Sequence, residues 1–219
     1  MTTTLTVDVY VDLICPWCLI GKRHLSCALA ELAREQPDVA VQLNWHGVQL
    51  IPQVPAQGWP FAEFYERRLG GKEAVRQRQQ QVQQAALQAG LVLDLASIAV
   101  FPNTGRALRL LEHVTRTGSP AQVEAVIERL FAAYFLRGEN LGEPAILVQI
   151  ARECGLDVDT LPAELFAADA PLAPLSTPMP PQGVPYFVFN RRLALAGAHP
   201  SATLLAAMHE ALQGPERLP

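Results

Sequence analysis

Between Leu5 and Ile14 the valines Val7, Val9 and Val11 alternate with polar or aromatic residues, and this β-branched-rich run predicts a strand. The spacing then lengthens. Leu25, Ala28, Leu29 and Leu32 occupy the i, i+3, i+4 and i+7 positions of an apolar stripe, which predicts a helix from just after Cys15 to before Pro37. Alternation returns through Val39, Val41, Leu43 and Trp45 as a second strand. A helix between two strands favours a parallel pair with a right-handed crossover.

Pro52, Pro55 and Pro60 then punctuate a loop, and helical signals dominate from there to about Phe166. Lys72 to Ala89 is Gln-rich with few apolar anchors, such as Val75 and Val82, so a broad face of that helix should meet solvent. Asn103 is placed to cap a helix through Leu108, Leu111 and Val114. Ser119-Pro120-Ala121-Gln122 is a capping-box sequence with proline at the first helical position, ahead of a helix from Val123 to Phe135. Pro144 to Cys154 predicts another helix, stopped by Gly155. Strands return at Tyr186–Phe189 and Leu193–Ala196, flanking Asn190-Arg191-Arg192 as a hairpin. Pro200 to Leu212 forms a last helix with Gly214 just past its end. The chain thus reads as βαβ and ββα parts, residues 1–50 and 176–219, separated by an all-helical insertion over residues 51–175.

Cys15-Pro16-Trp17-Cys18 sits where the first strand gives way to the first helix. Thiols three residues apart at a helix start lie within one turn, close enough to close and reopen a small disulfide ring. Cys15 falls near the N-cap, where free N–H groups and the positive dipole end stabilise a thiolate, the attacking species. Pro16 fits the first helical position, and Cys18 lands a turn further in, suited to resolving a mixed disulfide. A zinc site would need more ligands, and His24 and Cys27 are the nearby candidates. Cys27 lies about 13 Å beyond Cys18 along a helix axis, too far for one tetrahedral ion and too far for a Cys18–Cys27 bridge. A permanent Cys15–Cys18 bridge would restrict the unfolded chain little. The redox reading outweighs both, and no metal is expected.

Composition narrows the partners. The chain has 219 residues, half of them hydrophobic, and a net charge of −4 without any Lys/Arg run, so nucleic acid and anionic membranes are not expected partners. The N-terminal residues read directly as a strand, with no basic region or apolar stretch of a signal peptide, and no segment is long enough to span a bilayer. These features point to the cytoplasm, where disulfides are mostly transient. His24, His46, His113, His199 and His209 show no spacing that suggests a triad or a metal site. Cys27 is expected to pack as a small hydrophobe and Cys154 to be inert.

A strand ending in Cys-x-x-Cys, with a later Gly183-Val184-Pro185 before a hairpin and a final helix, resembles the thioredoxin fold, and the helical insertion resembles the DsbA family. More narrowly, Val11 to Gly21, Asn103-Thr104, Phe131-Ala-Ala-Tyr-Phe135 and Gly183 to Phe189 are similar to its FrnE-like branch, which includes relatives of the 2-hydroxychromene-2-carboxylate isomerases. The resemblance implies a cis Pro185 beside the dithiol, with the preceding backbone at Val184 pairing to an extended substrate. It departs from the family at residues 171–182, where five prolines rule out a continuous helix and leave a stiff connector or an altered substrate groove.

These residues imply a thiol-disulfide oxidoreductase in which Cys15 attacks and Cys18 resolves, acting on protein or small-molecule disulfides. Trp17 is expected to present a contact surface and, with Val184 and Pro185, to bind substrate. Asp12, three residues before Cys15, is a candidate proton relay to the inner thiol or a backbone cap. No cofactor is required, though glutathione is a candidate co-substrate. The alternative is a glutathione-dependent isomerase or transferase on an aromatic or polyketide-like molecule. Relatives with that activity carry serine at the position of Cys15, so the retained pair argues for redox chemistry. A non-catalytic binding module is the third and weakest reading.

Overall fold

The computed structural model describes residues 3–167, 170–172 and 181–213. In chain order its elements are β1 (Thr3–Val11), α1 (Pro16–Glu35), β2 (Val39–Gly47), β3 (Trp59–Pro60), α2 (Phe61–Leu69), α3 (Lys72–Gln88), β4 (Val100–Phe101), α4 (Gly105–Thr117), α5 (Pro120–Phe135), α6 (Pro144–Glu153), β5 (Tyr186–Phe189), β6 (Leu193–Ala196) and α7 (Ser201–Leu212). Four strands form a mixed sheet in the order β2-β1-β5-β6. β1 lies inside it, parallel to β2 and antiparallel to β5, which turns back into β6.

The alternating valines explain why β1 is interior. Leu5, Val7, Val9 and Val11 are all buried. Val7 stands between Leu43 and Phe189 in register, and Val9 between Trp45 and Phe187. α1 packs beside α7. The β5–β6 turn places Asn190 and Arg191 at φ +48° and +56°, the left-handed backbone that a tight hairpin needs. Asn190 Oδ1 accepts the Thr6 N–H at 2.8 Å, and its Nδ2 donates to the Ala211 carbonyl at 2.9 Å. One turn residue thus pins the hairpin to both β1 and α7.

Helices α2 to α6 fill the interval between β2 and β5. The interval expected to be all-helical also holds a two-stranded ribbon, β3 paired antiparallel with β4. Two-residue strands, one containing Pro60, are too short to show alternation. α4 sits on β2 where Gly47 leaves room: a Cβ there would come within 2.9 Å of Leu108 Cβ. The Ser119 capping box at α5 forms as expected. At α4 the N-cap is Thr104 rather than Asn103, yet the Asn103 Oδ1 still accepts the Gly105 N–H at 2.9 Å. α1 is fastened to α5 by Lys22, whose buried ammonium meets Glu124 at 2.6 Å and Glu128 at 2.5 Å. Gly214 and the 175/176 boundary lie outside the described residues, as does most of the proline-rich connector.

Candidate active site

β1 delivers the chain to Asp12, and a tight turn, with Cys15 N–H donating to the Asp12 carbonyl at 3.1 Å, leads into α1. Cys15 is the N-cap with extended backbone, Pro16 is at the first helical position, and the Cys18 N–H donates to the Cys15 carbonyl at 3.0 Å. Both thiols are free. Cys15 keeps 8% of its surface exposed, whereas Cys18 keeps none. Burial pushes the Cys18 thiol well above the usual range, and its interactions with Cys15 and the nearby Asp12 charge add to the shift.

From the far end of the chain comes the Val184–Pro185 segment. The peptide bond is cis, and the Cys15 thiol donates to the Val184 carbonyl at 3.8 Å. Gly21, one turn beyond Cys18 on α1, makes the approach fit: a Cβ there would lie 3.1 Å from Pro185 Cγ and 3.2 Å from Phe187 Cζ. Cys15, Cys18, Val184 and Pro185 are therefore neighbours in space.

Asp12 is wholly buried. Its Oδ2 accepts the Leu50 N–H at 2.8 Å, while Oδ1 has no partner among the described residues. Burial raises its carboxyl to about 6, only partly offset by hydrogen bonds from Leu50 and Thr104. The backbone-capping role and closeness to Cys18 thus coexist in one residue.

Trp17 is not the open surface expected for it. Its indole is half-buried, with the Arg78 guanidinium of α3 5.7 Å from the ring centre. Cys27 is exposed instead of packed, because it lies on the side of α1 opposite Leu25 and Leu32. Cys154 is half-buried, and burial raises its thiol. Among the described residues no three His, Cys, Asp or Glu side chains are placed to hold a metal ion.

Sequence reasoning missed the other side of the dithiol. A cavity of about 290 Å³ lies between Cys15, Pro16 and Trp17 on one wall and α2, α3 and α5 on the other. Tyr65 and Tyr134 belong to that wall. Burial pushes Tyr65 up to about 12, with the neighbouring Cys15 adding to it, and pushes Tyr134 well above the usual phenol range, so both phenols stay protonated donors. The i, i+3, i+4 spacing of Phe61, Phe64 and Tyr65 was the available signal.

Comparison with solved structures finds the same architecture. A probable DsbA oxidoreductase, SCO1869 from Streptomyces coelicolor, superposes with a TM-score of 0.75 at 23% identity, covering 98% of this chain and 92% of its own. A 2-hydroxychromene-2-carboxylate isomerase gives 0.59 at 15%, covering 94% and 95%. The cytosolic disulfide reductase DsbM from Pseudomonas aeruginosa, in a structure with GSH, gives 0.55 at 16%, covering 95% and 96%. At these identities the likeness is one of fold. The family model of the DsbA-like thioredoxin domain matches residues 6–170, most of the chain. The protein belongs to the DsbA-like thioredoxin domain family.

Proposed function

We propose that this protein is a thiol-disulfide oxidoreductase. The observation that carries the reading is the inequality of two thiols one turn apart: Cys15 is at a helix start with solvent access, and Cys18 is sealed behind it. The Cys15 thiolate attacks a substrate disulfide, breaking its S–S bond and releasing one thiolate. Cys18 then attacks the Cys15 sulfur and releases the second. The protein ends as the Cys15–Cys18 disulfide, with two electrons passed to the substrate, and an external thiol such as glutathione resets it. Because burial disfavours the Cys18 thiolate, its proton needs an acceptor, and the free Oδ1 of Asp12 is the buried base nearby. Val184, with its backbone beside Cys15, and Pro185 form the docking edge. A cytoplasmic setting goes with this reading, in which the disulfide forms and opens transiently.

Trapping tests it. Cys18→Ser, incubated with a disulfide substrate such as insulin or oxidised glutathione, should accumulate a mixed disulfide on Cys15 detectable by intact mass. Cys15→Ser should not. Equal adducts in both variants would overturn the reading. The cavity beside Cys15 favours a second reading, a glutathione-dependent isomerase. Under it Cys18→Ser would keep full turnover of an aromatic substrate in the presence of glutathione.

A further inference from the structure

Tyr134 is unexplained by the thiol chemistry. Its side chain is 1% exposed and its hydroxyl has no partner among the described residues, an arrangement that is costly unless something else satisfies it. It stands in the wall of the cavity whose opposite wall is Cys15. Most of that wall is aromatic or aliphatic, and its two cations are Arg68 and Arg78. Arg68 lies 5.9 Å from the Phe64 ring centre and Arg78 5.7 Å from that of Trp17, so aromatic rings hold both guanidiniums at the wall. Their neighbours Arg67 and Arg76 are paired with Glu63 and Glu73, whereas Arg68 and Arg78 meet no carboxylate among the described residues.

A volume of about 290 Å³ is close to the lower end for small-molecule sites and cannot admit a folded protein surface. We propose that the cavity binds a small organic disulfide with a flat apolar body and a carboxylate. Arg68 and Arg78 hold the anion, and the Tyr134 hydroxyl donates to an acceptor on the body, which sets one sulfur against Cys15. This rests on the thiol-disulfide reading. Cys15 attacks that sulfur, the substrate S–S bond breaks and one aryl thiolate leaves. Cys18 then displaces the second, and the two electrons come from the protein's own dithiol.

Single-turnover kinetics of the pre-reduced full chain test this, in a Cys27→Ser, Cys154→Ser background so that only the dithiol reacts. Dithiobis-nitrobenzoate is the anionic aromatic probe and dithiodipyridine the neutral one. The rate should saturate with dithiobis-nitrobenzoate and rise linearly with dithiodipyridine. Arg68→Gln with Arg78→Gln should raise the half-saturation concentration about tenfold, as loss of charge-assisted contacts does. Tyr134→Phe should raise it roughly threefold to tenfold. In both, the shift should exceed any change in the limiting rate, and the melting temperature of Tyr134→Phe should not fall. Linear kinetics with both probes, or arginine variants that leave the half-saturation point in place, would overturn the site. An unmoved Tyr134→Phe would overturn the role of its hydroxyl. Calorimetry of mercapto-nitrobenzoate with Cys15→Ser, Cys18→Ser separates the two readings. If this thiol binds but no disulfide reacts with the reduced chain, the oxidoreductase reading fails and the cavity stands; if disulfides react but the thiol does not bind, the cavity inference fails alone.

Discussion

Asp12 is held ionised at neutral pH in a place that favours its acid form. Its carboxyl rises from 3.8 to about 6 in the folded protein, so between those values the folded chain holds a proton that the unfolded chain has lost. Stability must then fall as pH climbs through that window and level off above it. Asp12→Asn should flatten this segment and raise stability at pH 7 by about 2 kcal/mol, less than the full shift implies because an amide N–H₂ replaces the unpartnered oxygen. Denaturant melts from pH 4 to pH 7 measure it, and an unchanged slope would contradict the raised carboxyl. If Asp12 takes the Cys18 proton, the same variant should also slow resolution of the mixed disulfide while leaving its formation alone. The thiols differ on the same physical ground. With iodoacetamide at neutral pH, Cys15 should alkylate well before Cys18, which is fully covered and, through burial, mostly protonated. Peptide mapping reads the order, and first modification of Cys18 would reverse their roles.

At the scale of elements, α1 does three things within its first two turns: it presents the dithiol, admits Pro185 at Gly21, and anchors to α5 through Lys22. Gly21→Ala gains about 1 kcal/mol of helix propensity. Its new methyl, 3.1 Å from Pro185 Cγ, forces the loop carrying Val184 to give by a few tenths of an ångström. Stability should change by less than about 1 kcal/mol while the rate of mixed-disulfide formation with a protein substrate falls several-fold, and Gly21→Val should cost about 2 kcal/mol outright. Thermal melts and stopped-flow exchange separate these effects. Features set by near neighbours were legible beforehand. The Cys15 N-cap with Pro16, the Ser119 box and the Asn190 turn each write their geometry within a few residues. Tyr134, Lys22 and the covering of Trp17 were not legible, since each depends on an element far along the chain: α2, α5 or α3. Cys27 is a different case, because two residues from Leu25 is more than half a turn around the helix, and its phase already placed it outward.

At the scale of the whole molecule, the joint between α1 and the insertion is ionic and unequal. Lys22 is 1% exposed, but Glu124 and Glu128 keep 50% and 30% of their side-chain surface in water. Removing the carboxylates strands a buried ammonium, whereas removing the ammonium leaves acids that can turn to solvent. Glu124→Gln with Glu128→Gln should therefore cost about 3 kcal/mol and Lys22→Met only about 1, an order that denaturant titration can check. The placing of β1 has a longer reach. Its second neighbour, β5, and the Val184 carbonyl that faces Cys15 lie at the other end of the chain, 169 positions away. A ribosome adding about 5–20 residues per second would expose Cys15 roughly ten to thirty seconds before Val184 follows. During that interval Val7 to Tyr10 present an unpaired strand edge, and Cys15 lacks the Val184 carbonyl that its thiol meets in the folded protein. Every newly made molecule thus passes through a stage in which an open strand edge and an uncovered thiol stand a few residues apart.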